Sequence, residues 1–147
     1  MRRYLLDTNI LVHYARKSPL YQQIEVKENL TDTDCLPMIS VITQGEIFSL
    51  ATQRGWGSIK IQAIQNLLAK LIIIDINSSD SGLLQAYANI DSFSKNKLSD
   101  KPLGYSIKMG KNDLWIAATA FVANATLLTT DGDFDHLNGT YIAVKKY

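Results

Sequence analysis

Short apolar runs rich in branched residues recur along the chain, and longer stretches of helical periodicity separate them. The runs are Tyr4–Leu6, Pro37–Val41, Leu71–Ile74, Thr126–Thr129 and Tyr141–Val144. Continuous apolar runs of this length mark strands buried on both faces of a parallel sheet. Ile64, Leu67, Leu68 and Leu71 recur at the i, i+3, i+4, i+7 spacing of one helix face, with Ser58 as the expected N-cap. Leu114, Ala117, Ala118, Phe121 and Val122 repeat the pattern before Thr126, and Asn9–Arg16, Ile42–Arg54 and Leu83–Lys95 are further expected helices. Strands alternating with helices predict an α/β sandwich, a single domain over residues 1–147 around a mostly parallel sheet of about five strands. Right-handed crossovers then bring the carboxyl ends of the strands to one edge, where such folds place their ligands.

Carboxylates gather at that edge. Asp7 directly follows the first run, and Asp131 follows Thr129 by two residues. Glu46 lies about one turn into the helix after Pro37–Val41. Asp113 opens the helix before Thr126, and it joins the others if that helix starts from the same edge. Glu46 sits beside the apolar stripe of Ile42 and Leu50, where an unpaired charge is costly. Each acid also has a plain alternative. Asp7 could cap the helix near Asn9, Asp113 could meet a helix dipole, Asp131-Gly132 is a common turn dipeptide, and Glu46 could face solvent or a lysine. Four acids on one edge with no obvious basic partners in the sequence point instead to a bound cation. Neither His13 nor His136 is spaced for a zinc site, and an all-oxygen set suits Mg²⁺ or Mn²⁺. Such ions polarise a phosphoryl oxygen and generate hydroxide for in-line attack.

Composition changes this picture at three points. A formal net charge of +1 argues against a nucleic-acid partner only if the charges are evenly spread. With four of the 14 acids set aside in a metal site, 10 remain against 15 basic groups, a balance of +5. Cys35 is the only cysteine, which excludes an intrachain disulfide and leads us to expect a cytoplasmic protein. No apolar run approaches the roughly 20 residues needed to cross a bilayer, and no signal peptide is expected. A nucleotide-binding module would show a glycine-rich loop after the first strand, and the chain has neither G-x-G-x-x-G nor a P-loop. A haloacid-dehalogenase-type phosphatase needs a second Asp where this chain has Asn9.

Leu6-Asp7-Thr8-Asn9, Ile39-Ser40-Val41 with Glu46, Asn112-Asp113-Leu114-Trp115-Ile116-Ala117-Ala118, and Leu128-Thr129-Thr130-Asp131-Gly132-Asp133-Phe134 stand in order along nearly the whole chain. This ordered set resembles the signature of the PIN-domain nucleases, and specifically of VapC-type toxins of bacterial toxin–antitoxin pairs. The resemblance implies a three-layer α/β sandwich, a Mg²⁺- or Mn²⁺-dependent endoribonuclease, a homodimer, and inhibition by a cognate antitoxin whose tail occupies the site. It implies that Asp7, Glu46 and Asp113 are the core metal-binding acids and Asp131 the more variable fourth, for which Asp133 competes. Thr8 and Asn9 match the family's Asp-Thr-Asn, whose hydroxyl orients the first acid or a water; helix capping is the alternative for both and is preferred for Asn9. A PIN ribonuclease of RNA maturation or decay, or an inactive PIN-like binding module, are the alternatives; the four acids disfavour the module. The segment Leu98–Lys111 is longer than in compact members. Its Lys101, Tyr105, Lys108 and Lys111 read either as an RNA grip or as a solvated loop.

Overall fold

The structure, a computed structural model, describes residues 1–147. Five strands form one sheet in the order β3-β2-β1-β4-β5, and every neighbouring pair is parallel. They are β1 (Arg2–Leu6), β2 (Cys35–Ser40), β3 (Ile72–Ile74), β4 (Thr126–Thr129) and β5 (Val144–Lys146). The helices are α1 (Thr8–Arg16), α2 (Pro19–Glu28), α3 (Val41–Gln53), α4 (Ser58–Leu68), α5 (Ser81–Ser94) and α6 (Lys111–Val122), with a 3-10 turn over Gly132–Leu137.

The alternation of side chains along the strands creates two cores. Leu5 and Leu127 point to one face of the sheet, where Ile90 and Phe93 of α5 and Leu114 and Ala117 of α6 cover them. Tyr4, Leu6 and Leu128 point to the other, against Ile10 and Leu11 of α1, Ile47 of α3 and Ile64 of α4. The result is the expected three-layer sandwich. None of its helices is long and apolar enough to cross a membrane.

Differences from the sequence pattern have local causes. The second strand ends at Ser40 rather than Val41, because the Ser40 hydroxyl accepts from Ile42 N at 3.1 Å and so caps α3. Gly57, not Ser58, is the cap residue of α4, and Leu71 falls in the turn before β3 rather than on the helix. Helix α5 starts at Ser81 because Asp80 accepts from Leu83 N at 3.0 Å. The run Tyr141–Val144 is displaced: only Val144 belongs to the strand, which continues through Lys145 and Lys146. Tyr141 and Ile142 instead fold back on the 3-10 turn. Tyr141 N donates to Leu137 O at 3.2 Å, and the Tyr141 ring packs at 5.3 Å from that of Phe93. Helix α2 has no counterpart among the expected elements. Ser18 caps it with Pro19 in the first turn, but Ile24 is its only buried apolar residue, so it shows no helical stripe.

Candidate metal centre

The parallel register brings the acids together. Leu6 pairs with Leu128, and Asp7 N donates to Leu128 O at 3.0 Å, so the ends of β1 and β4 lie side by side. Asp7 is buried. Its Oδ1 accepts from Thr8 N at 2.8 Å, the capping contact, while its Oδ2 accepts from the Thr129 hydroxyl at 2.7 Å. Capping and clustering are therefore both true of this residue.

Glu46 does not turn out to a lysine. Its Oε1 accepts from the Thr8 hydroxyl at 2.7 Å, which ties α3 to the start of α1. Asp113 stands half-buried in the first turn of α6, whose amino end meets the same edge as expected. Asp131 N donates to the Thr129 hydroxyl at 3.0 Å, and Asp131 Oδ1 accepts from Asp133 N at 2.9 Å, the turn contact expected of Asp131-Gly132. Carboxylate oxygens of Asp113, Asp131 and exposed Asp133 lie within 4.8 Å of one another, so both candidates for the fourth acid adjoin Asp113.

The electrostatics follow from the crowding. Burial pushes the Asp7 pKa up against the pull of its two hydrogen bonds, and the charges of Glu46 and Asp131 push the same way. Burial, then the charges of Asp7, Asp131, Glu46 and Asp133, push Asp113 up to about 7. Glu28 shows the opposite arrangement. It is also buried, but it accepts from Tyr4 and Tyr147 hydroxyls at 2.6 and 2.7 Å and pairs with Lys145 at 2.9 Å. Burial raises its pKa, yet these partners outweigh burial and hold it below the usual carboxylate range. A structural buried acid in this molecule is thus neutralised by its own neighbours. None of the ion pairs reaches Asp7, Glu46, Asp113 or Asp131.

These four acids line a cleft of about 710 Å³ that has no lysine or arginine in its walls. Its donors are carboxylates, hydroxyls and amides. The two histidines contribute nothing: His13 contacts Ser18 and His136 contacts Ser94, both at 2.8 Å. An uncompensated all-oxygen cluster fits a hard divalent cation, which would supply the missing positive charge.

Several participants go beyond those the sequence pattern marks. The single hydroxyl of Thr129 bridges Asp7 and the Asp131 backbone. Its only signal in the sequence is its place at the end of the Thr126–Thr129 strand, two residues before Asp131. Asn112, Gly45, Ser49 and Gln53 also line the cleft, and nothing in the periodicity marks them. Lys108 and Lys111 are exposed and make no ion pair, and Lys111 begins α6 two residues before Asp113. Lys101 is engaged elsewhere, 4.6 Å over the Tyr141 ring.

Comparison with known proteins bears on the family and the fold. The model of the PIN domain family matches residues 4–139. A chain of VapBC2 from Rickettsia felis, solved bound to a DNA fragment from its promoter, is 25% identical, with 99% of this chain and 98% of that chain covered and a TM-score of 0.73. VapBC-1 from nontypeable Haemophilus influenzae is 24% identical, with coverage of 98% and 97% and a TM-score of 0.71. VapBC-5 from Mycobacterium tuberculosis, a member of the VapBC family of toxin–antitoxin systems, is 20% identical, with coverage of 99% and 98% and a TM-score of 0.62. Curated proteins give no significant match. With the family model matching nearly its whole length, the chain belongs to the PIN-domain family.

Proposed function

We propose that this chain is a Mg²⁺- or Mn²⁺-dependent endoribonuclease, the toxin of a type II toxin–antitoxin pair. One observation carries the reading. Four carboxylates converge on a cleft with no cation to neutralise them, while the molecule's other buried acid, Glu28, is fully paired. In this reading Asp7, Glu46, Asp113 and Asp131 hold the metal, with Asp133 beside the last two. An ion held by these residues would supply polarisation of a phosphoryl oxygen and a lowered pKa for a bound water.

The chain's own groups do the positioning. The Thr129 hydroxyl fixes one oxygen of Asp7 and leaves the other on the α1 cap, so this carboxylate keeps a single orientation. The Thr8 hydroxyl holds Glu46 toward the cleft. Lys108 and Lys111 are the free cations nearest in sequence to Asp113, and we assign them to backbone phosphates of the RNA. Family membership and the toxin–antitoxin relatives support the remaining assignments: a homodimer acting in the cytoplasm, held inactive by a cognate antitoxin in the cleft.

The test is cleavage of total RNA by purified protein with Mg²⁺ or Mn²⁺ and with EDTA. Cutting is expected only with metal and is lost in Glu46→Gln, which removes the charge and nearly keeps the shape. Equal cutting in EDTA, or by the variant, refutes the proposal.

A further inference from the structure

The α3 wall of the cleft differs in character from its acidic floor. Ser49 and Gln53 follow Glu46 by three and seven residues, so all three lie on one stripe of the helix. Gln53 stands ~10 Å beyond Glu46 along the axis, at about 1.5 Å per residue. Its Nε2 donates to the Ser49 hydroxyl at 2.8 Å. The same amide-to-polar pairing occurs at Gln62–Asn66 and Gln85–Asn89, but those pairs line no part of this cleft. The bond to Ser49 orients the exposed Gln53 carboxamide and leaves it one N–H and its carbonyl oxygen, a donor beside an acceptor. Gly45, on the same wall, has open space where a side chain would stand: an added Cβ meets nothing within 4 Å. A glycine inside a helix is less stable than alanine, so packing gives no reason for it here.

We infer that Gln53, steadied by Ser49 and given room by Gly45, receives an unpaired base flanking the scissile phosphate and makes cleavage base-selective. This rests on the ribonuclease reading above. A neutral wall without lysine or arginine is unsuited to gripping phosphate and suited to a base edge, where an amide pairs side by side with one donor and one acceptor. In a duplex the Watson–Crick edges are already occupied, so the partner is a base in a single-stranded segment.

The experiment maps cut ends by sequencing after digestion of a randomised RNA pool with Mn²⁺. The wild type is expected to cut unpaired segments with a preference for one base at a fixed position beside the cut. Gln53→Ala should flatten that preference by roughly tenfold, the scale of a lost amide–base pair. Gln53→Glu, which exchanges the donor for an acceptor, should shift it to another base. Gly45→Ala should melt higher than wild type and yet cut more slowly, which separates room in the cleft from folding. No cutting by the wild type overturns the nuclease reading and this inference with it. Cutting without a base preference, or with one that both Gln53 variants leave unchanged, overturns this inference alone and returns the wall to a protein partner.

Discussion

Asp113→Asn tests whether the carboxylates are held together against their mutual repulsion. Asp113 has its pKa raised from the ordinary 3.8 to about 7, by burial first and then by Asp7, Asp131, Glu46 and Asp133. A raised carboxyl pKa means the folded protein binds this proton more tightly than the unfolded chain does. Its contribution is therefore most favourable below pH ~4, and it is lost as pH rises through about 7. At about 1.4 kcal/mol per unit, a fully buried group would lose about 4 kcal/mol. Asp113 is only half-buried, and solvent screening reduces this to about 1–2 kcal/mol. In EDTA, Asp113→Asn should match wild type near pH 4 and exceed it by that margin at pH 8, since Asn carries no charge to desolvate. In thermal melts the margin is a few degrees, at roughly 2–4 °C per kcal/mol for a chain of this size. Urea unfolding of both proteins across this pH range gives the difference directly, and titrating groups outside the acidic cluster cancel. Added Mg²⁺ should reverse the order, stabilising wild type by about 2.7 kcal/mol at a hundredfold excess over Kd and the variant much less. A stability difference that stays flat with pH, or a variant that is weaker at pH 8 without metal, refutes the argument.

Three further outcomes are expected from the same geometry. Asp7→Asn should retain the α1 cap, because Asn caps about as well as Asp, yet lose the Mg²⁺-induced rise in melting temperature; an equal rise in both proteins removes Asp7 from the ligand set. Thr129→Val keeps the strand's shape but strips Asp7 Oδ2 and Asp131 N of their shared partner. It should cost about 1–3 kcal/mol in urea unfolding and weaken Mn²⁺ binding, and calorimetry giving wild-type Mn²⁺ affinity would deny Thr129 its positioning part. If Lys108 and Lys111 contact phosphates, replacing both with Ala flattens the dependence of log K for single-stranded RNA on log salt by roughly 1.4, at ~0.7 per contact; an unchanged slope leaves them as solvated loop residues.

The acids were legible because strand order and sequence pattern act on the same residues. A buried parallel strand that ends at Leu6 or Thr129 must deliver the next residues of the chain to the sheet edge, and there Asp7 and Asp131 stand. Elements whose stability comes from capping or from tertiary contact were not legible. Helix α2 buries little beyond Ile24 and Glu28, and Glu28 is buried only because Tyr4, Lys145 and Tyr147 arrive from distant parts of the chain. Strand β5 carries Lys145 and Lys146, as suits an exposed sheet edge, so its pattern reads as polar tail. Thr129 was hidden for a related reason, since its value lies in a hydrogen bond to a residue 122 positions away.

The near-neutral net charge acquires a physical meaning from this arrangement. Four of the 14 acids line one cleft, which lacks any basic residue, while Lys108 and Lys111 stand outside it on the approach to α6. A polyanion meeting the metal-free cleft is repelled by its floor, and the same floor becomes attractive only when a divalent ion offsets the carboxylates. If the chain is the metal-dependent ribonuclease proposed above, binding of RNA and binding of metal are coupled, and each raises the affinity for the other by the same factor. A divalent cation held by these acids would relieve the repulsion that helps raise the Asp113 pKa to about 7, so in the proposed reading metal binding and stability at neutral pH are linked.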